Sequence, residues 1–179
     1  MADALLPETP ETRIWAEDTP ALLHVTSLLE LFNWYKQNLC GRAFIDPRGY
    51  RVTFLDTDFV HLVKLTDKYR KEPKNRRMAI EQIQSERIKL VPGRFSLQRA
   101  QELCWAQSII ETPTMVVPNW QVMGRANPGD AYIKNFGQPE KPIYRVLICG
   151  HSGLRRWAVT IFPKERITEK DLAGGILWP

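Results

Sequence analysis

Residues 115–163 read MVVPNWQVMGRANPGDAYIKNFGQPEKPIYRVLICGHSGLRRWAVTIFP, and this stretch decides the predicted fold. Short runs of β-branched and aromatic residues, which favour strands, are separated by segments rich in Gly, Pro and Asn, which favour turns. The pattern predicts four short antiparallel strands, over residues 115–117, 131–136, 143–149 and 155–162.

The sequence Gly-His-Ser-Gly at 150–153 is predicted to be the turn between the last two strands. The nucleophile turn of serine hydrolases would need glycine two residues after the serine, and this chain has Leu154 there. We therefore interpret the segment as a hairpin turn.

Alternation along these strands predicts two different faces for the sheet. One face is apolar and carries Ile133, Tyr144, Val146, Ile148, Trp157, Val159 and Ile161. The other carries Tyr132, Lys134, Arg145, Arg156 and Thr160. This second face is either an ordinary solvent-facing side or a platform for RNA or phosphate.

Turn and cap signals divide the chain before residue 115 into an arm, a hairpin and several helices. Residues 1–18 are acidic and predict a flexible arm, while Thr19-Pro20 predicts the start of an N-terminal helix within residues 19–41. Asp46-Pro47-Arg48-Gly49 predicts a β-hairpin. Further helices are predicted over residues 59–66, 74–89 and 96–110.

These elements predict an α+β fold, in which helices are followed by a curved antiparallel sheet of about four strands, with an extra N-terminal helix. The length of 179 residues is ordinary for one domain. We therefore assign residues 42–179 to a single domain, preceded by the arm and the helix.

The charge distribution favours an anionic partner. The formal net charge is +5, and residues 64–99 hold eleven Lys and Arg against four Asp and Glu. A solvated helix face would give the same pattern.

The three cysteines form no CxxC motif, and the sequence has neither a signal peptide nor an apolar run of membrane-spanning length. We expect a cytoplasmic protein without a metal or other cofactor.

Metal-free RNA cleavage needs only residue types that this chain contains. The 2′-hydroxyl of RNA supplies the nucleophile, and the protein must supply groups that move protons and cations that hold the phosphate. A histidine such as His61, on the polar edge of a predicted helix, can move a proton near neutral pH. A lone helix histidine is also compatible with a purely structural role.

The chain resembles the phage-associated branch of the barnase–EndoU–colicin–RelE superfamily of metal-independent ribonucleases. The matching pieces lie between about residues 43 and 165: Asp-Phe-Val-His-Leu-Val at 58–63, the basic helical middle, Ala-Tyr-Ile-Lys at 131–134, Tyr-Arg-Val-Leu-Ile at 144–148 and Ala-Val-Thr-Ile-Phe-Pro at 158–163. The resemblance implies RNA cleavage through a 2′,3′-cyclic phosphate, in a toxin, phage or prophage setting.

The resemblance also implies site residues. His61, Lys134 and Thr160 match the catalytic positions, and Arg94 is a looser match among the loop cations. Together with the residues of the polar sheet face, this gives Tyr132, Arg145, Arg94 and Arg156 as candidate substrate contacts. RNA is the expected partner, with an inhibitor or antitoxin protein as a second one.

Two other interpretations remain open from the sequence. The protein could bind nucleic acid without cleaving it, through the basic stretch at residues 64–99. It could also be an inactive phage accessory or structural domain that keeps the fold as a scaffold. Basic residues fit the enzyme and the binding protein equally well.

Overall fold

The computed structural model describes residues 15–65, 70, 72–88, 95–120 and 128–179. The helices are α1 (Leu28–Asn38), α2 (Phe59–Leu62), α3 (Pro73–Gln84), α4 (Leu97–Gln101) and α5 (Ala106–Glu111). Short 3₁₀ turns cover Asp56–Asp58 and Glu102–Trp105. The strands are β1 (Ala43–Ile45), β2 (Arg51–Thr53), β3 (Met115–Trp120), β4 (Gly129–Asn135), β5 (Tyr144–Ser152) and β6 (Arg155–Lys164). In these ranges, no helix has the length and apolar character needed to cross a membrane.

The predicted α+β class is confirmed, and the sheet is larger than predicted. The four predicted strands are β3 to β6, which pair antiparallel in sequence order. The predicted hairpin forms β1 and β2, and β2 adds to the sheet by pairing parallel with β6. The result is an open, mixed sheet of six strands in the order β1-β2-β6-β5-β4-β3.

The helices cover the sheet face on which alternation predicted polar residues, so that face is not an open platform. The helices pack on the face that carries Tyr132, Leu147 and Cys149. The C-terminal segment packs on the other face through Ile167 and Leu172. We call these the helix face and the outer face.

A bulge in β6 changes which residues share a face. Ile148 pairs with Thr160 but Cys149 pairs with Ala158, so Val159 is an extra residue on β6. Val159 consequently packs on the outer face and Ile161 on the helix face, although strict alternation predicts that both share one side.

The N-terminal helix is shorter than predicted and belongs to the main core. It begins after Ser27, whose Oγ accepts a hydrogen bond from the Glu30 amide at 3.1 Å, rather than at Thr19. Its buried residues Leu28, Leu31, Phe32 and Tyr35 join the cluster that covers the helix face.

Residues 15–27 run without helix along α4 and the 3₁₀ turn that follows it. The Leu23 amide donates to the Gln101 carbonyl at 2.9 Å, and Trp105 Nε1 donates to the Pro20 carbonyl at 2.8 Å. Hydrogen-bond partners on the main fold therefore hold this segment where a helix was predicted. Residues 1–14 of the predicted acidic arm lie outside the described residues.

Two of the remaining helices end earlier than predicted. Helix α2 ends at Leu62 instead of residue 66, and α3 ends at Gln84 instead of residue 89. The predicted Ser96 cap is confirmed, since its Oγ accepts from the Arg99 amide at 3.3 Å. The helix predicted over residues 96–110 is interrupted by the 3₁₀ turn at Glu102–Trp105.

Asp58 makes the stability of the fold depend on pH. Burial raises the pKa of this carboxyl from 3.8 to about 6, although the Leu55 amide, 2.8 Å from Oδ2, and the Arg76 charge favour the ionised form. The folded state therefore binds the proton more tightly than the unfolded chain does. The free energy of unfolding should fall as pH rises from about 4 to about 6, and this contribution should be constant above that range.

We expect Asp58→Asn to remove this contribution, because an amide oxygen can still accept from Leu55 but does not titrate. When the pH is raised from about 4 to about 7, the free energy of unfolding should fall by about 2–3 kcal/mol less in the variant than in the wild type. Urea unfolding at both pH values measures the difference. Equal pH dependence in the two proteins would contradict the raised pKa.

Candidate functional site

An open cleft of about 330 Å³ lies between the end of α2, the start of α4 and the end of β6. It is lined by Lys64, Phe95, Ser96, Gln98, Arg99 and Pro163. None of these lining residues is acidic, and two of them are cations. The Ser96 amide donates to the Val63 carbonyl at 2.9 Å, which fixes the start of α4 against the end of α2.

His61 lies one turn away from the cleft along the chain. Helix α2 ends in a turn in which the Lys64 amide donates to the His61 carbonyl at 3.0 Å, and Lys64 adopts a left-handed backbone with φ of 54°. Phe59, Val60 and Leu62 are fully buried, whereas His61 is half-buried and Lys64 is exposed. The two polar residues thus remain at the surface of an otherwise apolar segment.

Arg99 connects the cleft to the last strand. Its Nη1 donates to Thr160 Oγ1 at 3.1 Å. Burial lowers the pKa of Arg99, and so does the positive charge of Arg70, while Glu102 acts in the opposite direction. A guanidinium that is partly desolvated and repelled by another cation gains from binding an anion.

Glu102, one helical turn after Arg99, is already engaged by a buried arginine. Its carboxylate accepts from Arg145 Nε and Nη2, both at 2.6 Å, and from Gln98 Nε2 at 3.2 Å. Glu102 and Arg145 are 4% and 2% exposed. Arg145 is therefore a structural partner beneath the cleft, and its guanidinium does not face an incoming ligand.

Lys134 lies far from Thr160. It pairs with Arg145 on the sheet ladder, whereas Thr160 pairs with Ile148, so the two residues are separated by three positions along β5 and by two strand spacings. This corresponds to about 14 Å between their Cα atoms. The Lys134 ammonium donates to the carbonyl and to Oγ1 of Thr112, both at 2.7 Å, and so binds the end of α5.

Tyr132 is buried in a network that attaches the β1–β2 hairpin to β4. Its hydroxyl donates to Asp46 Oδ2 at 2.7 Å and accepts from Arg48 Nη2 at 2.8 Å. Asp46 Oδ1 accepts from the amides of Arg48 and Tyr50, both at 2.9 Å. Burial raises the pKa of Tyr132. The phenol predicted to contact substrate is consequently a core group.

Arg156 lies in a second polar cluster, near the turn between β5 and β6. Its guanidinium packs on the Tyr50 ring at 4.1 Å, and its Nη1 donates to the Gly153 carbonyl at 2.8 Å. Arg156 Nε lies 3.7 Å from Asp130 Oδ2, and His151 Nε2 lies 3.9 Å from Asp130 Oδ1. These contacts hold the hairpin turn against the β1–β2 hairpin.

Of the seven predicted site residues, Thr160 contacts the cleft residue Arg99, and His61 lies three residues before the cleft residue Lys64 in the chain. Lys134, Arg145, Tyr132 and Arg156 have partners elsewhere, and Arg94 lies outside the described residues. The sequence interpretation missed Arg99 and Gln98 as site residues. Their signal was the Ser96 cap, which places both in the first turn of a helix at the end of the basic stretch.

Comparison with known protein families, curated proteins and solved structures finds no match to this chain. Among the residues described, no three His, Cys, Asp or Glu side chains are grouped so that they could hold a metal ion. The function must therefore be inferred from the geometry of the cleft.

Proposed function

We propose that the protein is a metal-independent endoribonuclease that binds an RNA phosphodiester in the cleft. The observation that supports this best is the hydrogen bond between Arg99 and Thr160 at the edge of an open, cationic cleft, whose residue Lys64 follows His61 by three positions in the chain. A guanidinium, a hydroxyl and an imidazole can together supply the proton transfer and the charge stabilisation that phosphodiester cleavage without a metal needs.

In the proposed reaction, the 2′-oxygen of the ribose attacks the adjacent phosphorus, and the bond from phosphorus to the 5′-oxygen breaks. The proton of the 2′-hydroxyl leaves to a base, and a proton is delivered to the departing 5′-oxygen. His61 carries out one of these two transfers, and a water molecule carries out the other. The products are a 2′,3′-cyclic phosphate and a free 5′-hydroxyl.

Arg99 and Thr160 would hold the phosphate during this reaction. Arg99 can offer two parallel N–H groups to two phosphate oxygens, and its charge counters the negative charge that develops there. The Thr160 oxygen accepts from Arg99 in the free protein, which leaves its own O–H to donate to a phosphate oxygen. Lys64 adds a second positive charge at the cleft.

This proposal keeps His61 and Thr160 and replaces Lys134, Tyr132, Arg145 and Arg156 by Arg99 and Lys64. Arg94 stays a prediction. RNA is the proposed partner, and the cytoplasm is the proposed place of action, which agrees with the three free thiols of Cys40, Cys104 and Cys149. The toxin or phage setting and an inhibitor protein rest on the sequence resemblance alone.

Incubation of labelled RNA with the protein in EDTA tests the proposal. We expect the wild type to give fragments with 2′,3′-cyclic phosphate ends, and His61→Gln to cleave at least about 100-fold more slowly, because one proton-transfer group is lost. His24→Gln is the matched control, since His24 is exposed on the segment before α1, and it should retain full activity.

Two results would contradict the enzyme. One is salt-sensitive retention of RNA without any product, which would identify a binding protein. The other is cleavage that His61→Gln leaves unchanged, which would move the chemistry away from α2.

A further inference from the structure

Four side chains of β2 and β6 share the outer face of the sheet at the end away from the cleft. Arg51 pairs with Arg155, and Thr53 pairs with Trp157. Directly paired residues project to the same side, about 4.8 Å apart across the strands and about 6.6 Å apart along them. Val52, between Arg51 and Thr53, faces the main core. We call Arg51, Thr53, Arg155 and Trp157 the outer patch.

Trp157 lies against bare backbone in this patch. It pairs with Gly150, and a Cβ atom added at Gly150 would lie 2.6–2.8 Å from the indole ring. Because Gly150 has no side chain, the Trp157 ring can lie against the backbone of β5. Trp157 is half-buried and belongs to neither core cluster, although alternation predicts it on the packed apolar face. A large aromatic ring is thus presented beside polar residues.

The two arginines of the patch are exposed side by side. Like charges at directly paired positions are destabilising, and neither guanidinium forms an ion pair with any residue of the described ranges. Ser152, which pairs with Arg155 on the other side, brings no opposite charge. The patch therefore lacks an anion that would balance two adjacent cations.

We propose that the outer patch binds a single strand of nucleic acid, with a base stacked on Trp157 and backbone phosphates on Arg51 and Arg155. Aromatic rings with neighbouring cations are the usual means of holding unpaired nucleotides, because every base has a π-face and every linkage has a charge. Two guanidiniums without counter-ions favour a polyanion over an apolar protein surface. Binding here does not require that the cleft be catalytic.

Fluorescence anisotropy with oligonucleotides of about twelve residues tests this inference. The probes are 2′-O-methyl oligouridine, which lacks the free 2′-hydroxyl and so cannot be cleaved by its attack, and oligothymidine. We expect Trp157→Leu to weaken binding of both probes by about 5- to 150-fold, and Trp157→Phe to weaken it much less. Tighter binding of one probe than of the other shows whether the outer patch prefers RNA or DNA.

The double variant Arg51→Gln/Arg155→Gln tests the phosphate contacts. The slope of log K against log salt, measured between about 50 and 200 mM, should fall in magnitude by about 1.4, because each lost contact with a single strand contributes about 0.7. Lys36→Gln/Lys170→Gln removes the same charge from exposed positions on α1 and in the C-terminal segment, outside the basic stretch, and is the matched control. Unchanged melting temperatures confirm that each variant is folded.

The inference is wrong if the two double variants weaken binding equally, because binding would then follow net charge alone. It is also wrong if Trp157→Leu binds like the wild type. If Arg99→Gln abolishes binding while the patch variants do not, the strand binds in the cleft and the outer patch is not a site. Loss of cleavage in His61→Gln with binding to the patch retained would leave this inference standing.

Discussion

Glu102→Leu is expected to lower the free energy of unfolding by about 3–5 kcal/mol, because it leaves the buried guanidinium of Arg145 without its carboxylate. The pair is almost fully buried, and both contacts are 2.6 Å long. Arg145→Met should cost a similar amount, since the Glu102 carboxylate would then be buried with only Gln98 as a side-chain donor. Urea unfolding followed by circular dichroism measures both effects.

The double variant Glu102→Leu/Arg145→Met shows whether the unpaired charge causes the loss of stability in the single variants. We expect it to be more stable than either single variant, because two apolar side chains of similar size can replace a buried ion pair at little cost. Lys164 and Asp171 provide a more exposed pair, 3.2 Å apart, for comparison. Lys164→Met should cost at most about 1 kcal/mol. A similarly small cost for Glu102→Leu would contradict a buried, desolvated pair.

This ion pair also shows where prediction from the sequence stops. Alternation correctly indicates that Arg145 and Tyr132 share a face of the sheet, because neighbouring residues on a strand project to opposite sides. It cannot indicate what covers that face. The partner of Arg145 lies 43 residues earlier in the chain, in a 3₁₀ turn that interrupts a predicted helix. A cation that suggests a substrate platform is consequently part of the core.

Local signals were sufficient for most individual elements. The four strands after residue 114, the hairpin turn at Asp46–Gly49 and the Ser96 cap depend on residues close together in sequence, and the structure contains all of them. The parallel pairing of β2 with β6 joins residues about a hundred positions apart and leaves no local trace. The same limit explains the N-terminal segment, whose hydrogen-bond partners lie on α4, on the 3₁₀ turn that follows it and at Phe136, just after β4.

Sequence reasoning named only some residues of the candidate site, and the reason is related. His61 and Thr160 could be named from residue type and resemblance, but their surroundings could not. Thr160 was expected beside Lys134, and the ladder separates the two by three residue positions and two strand spacings. The cation that does reach Thr160 is Arg99, which comes from a helix. Only the packing of α4 on β6 brings these two side chains together.

The second large effect is expected from Arg99→Gln, which should reduce the rate of RNA cleavage by about 100- to 1,000-fold. The reason is the loss of a charged, preorganised donor at the phosphate, in a cleft where Arg99 is partly desolvated. The loss should appear mainly in kcat, because the charge of the phosphate rises in the transition state. Single-turnover cleavage in EDTA measures it.

Conservative variants separate this catalytic effect from a structural one. Arg99→Lys keeps the charge but loses the paired donors, so its cleavage rate should lie between those of the wild type and Arg99→Gln. Thr160→Ser keeps the hydroxyl, and its cleavage rate should stay close to that of the wild type. Thr160→Val removes the hydroxyl from a side chain of the same size, and it should cleave RNA more slowly. If Arg99→Gln and Thr160→Val cleave as fast as the wild type, the cleft is not where the phosphate is held, even if the protein cleaves RNA.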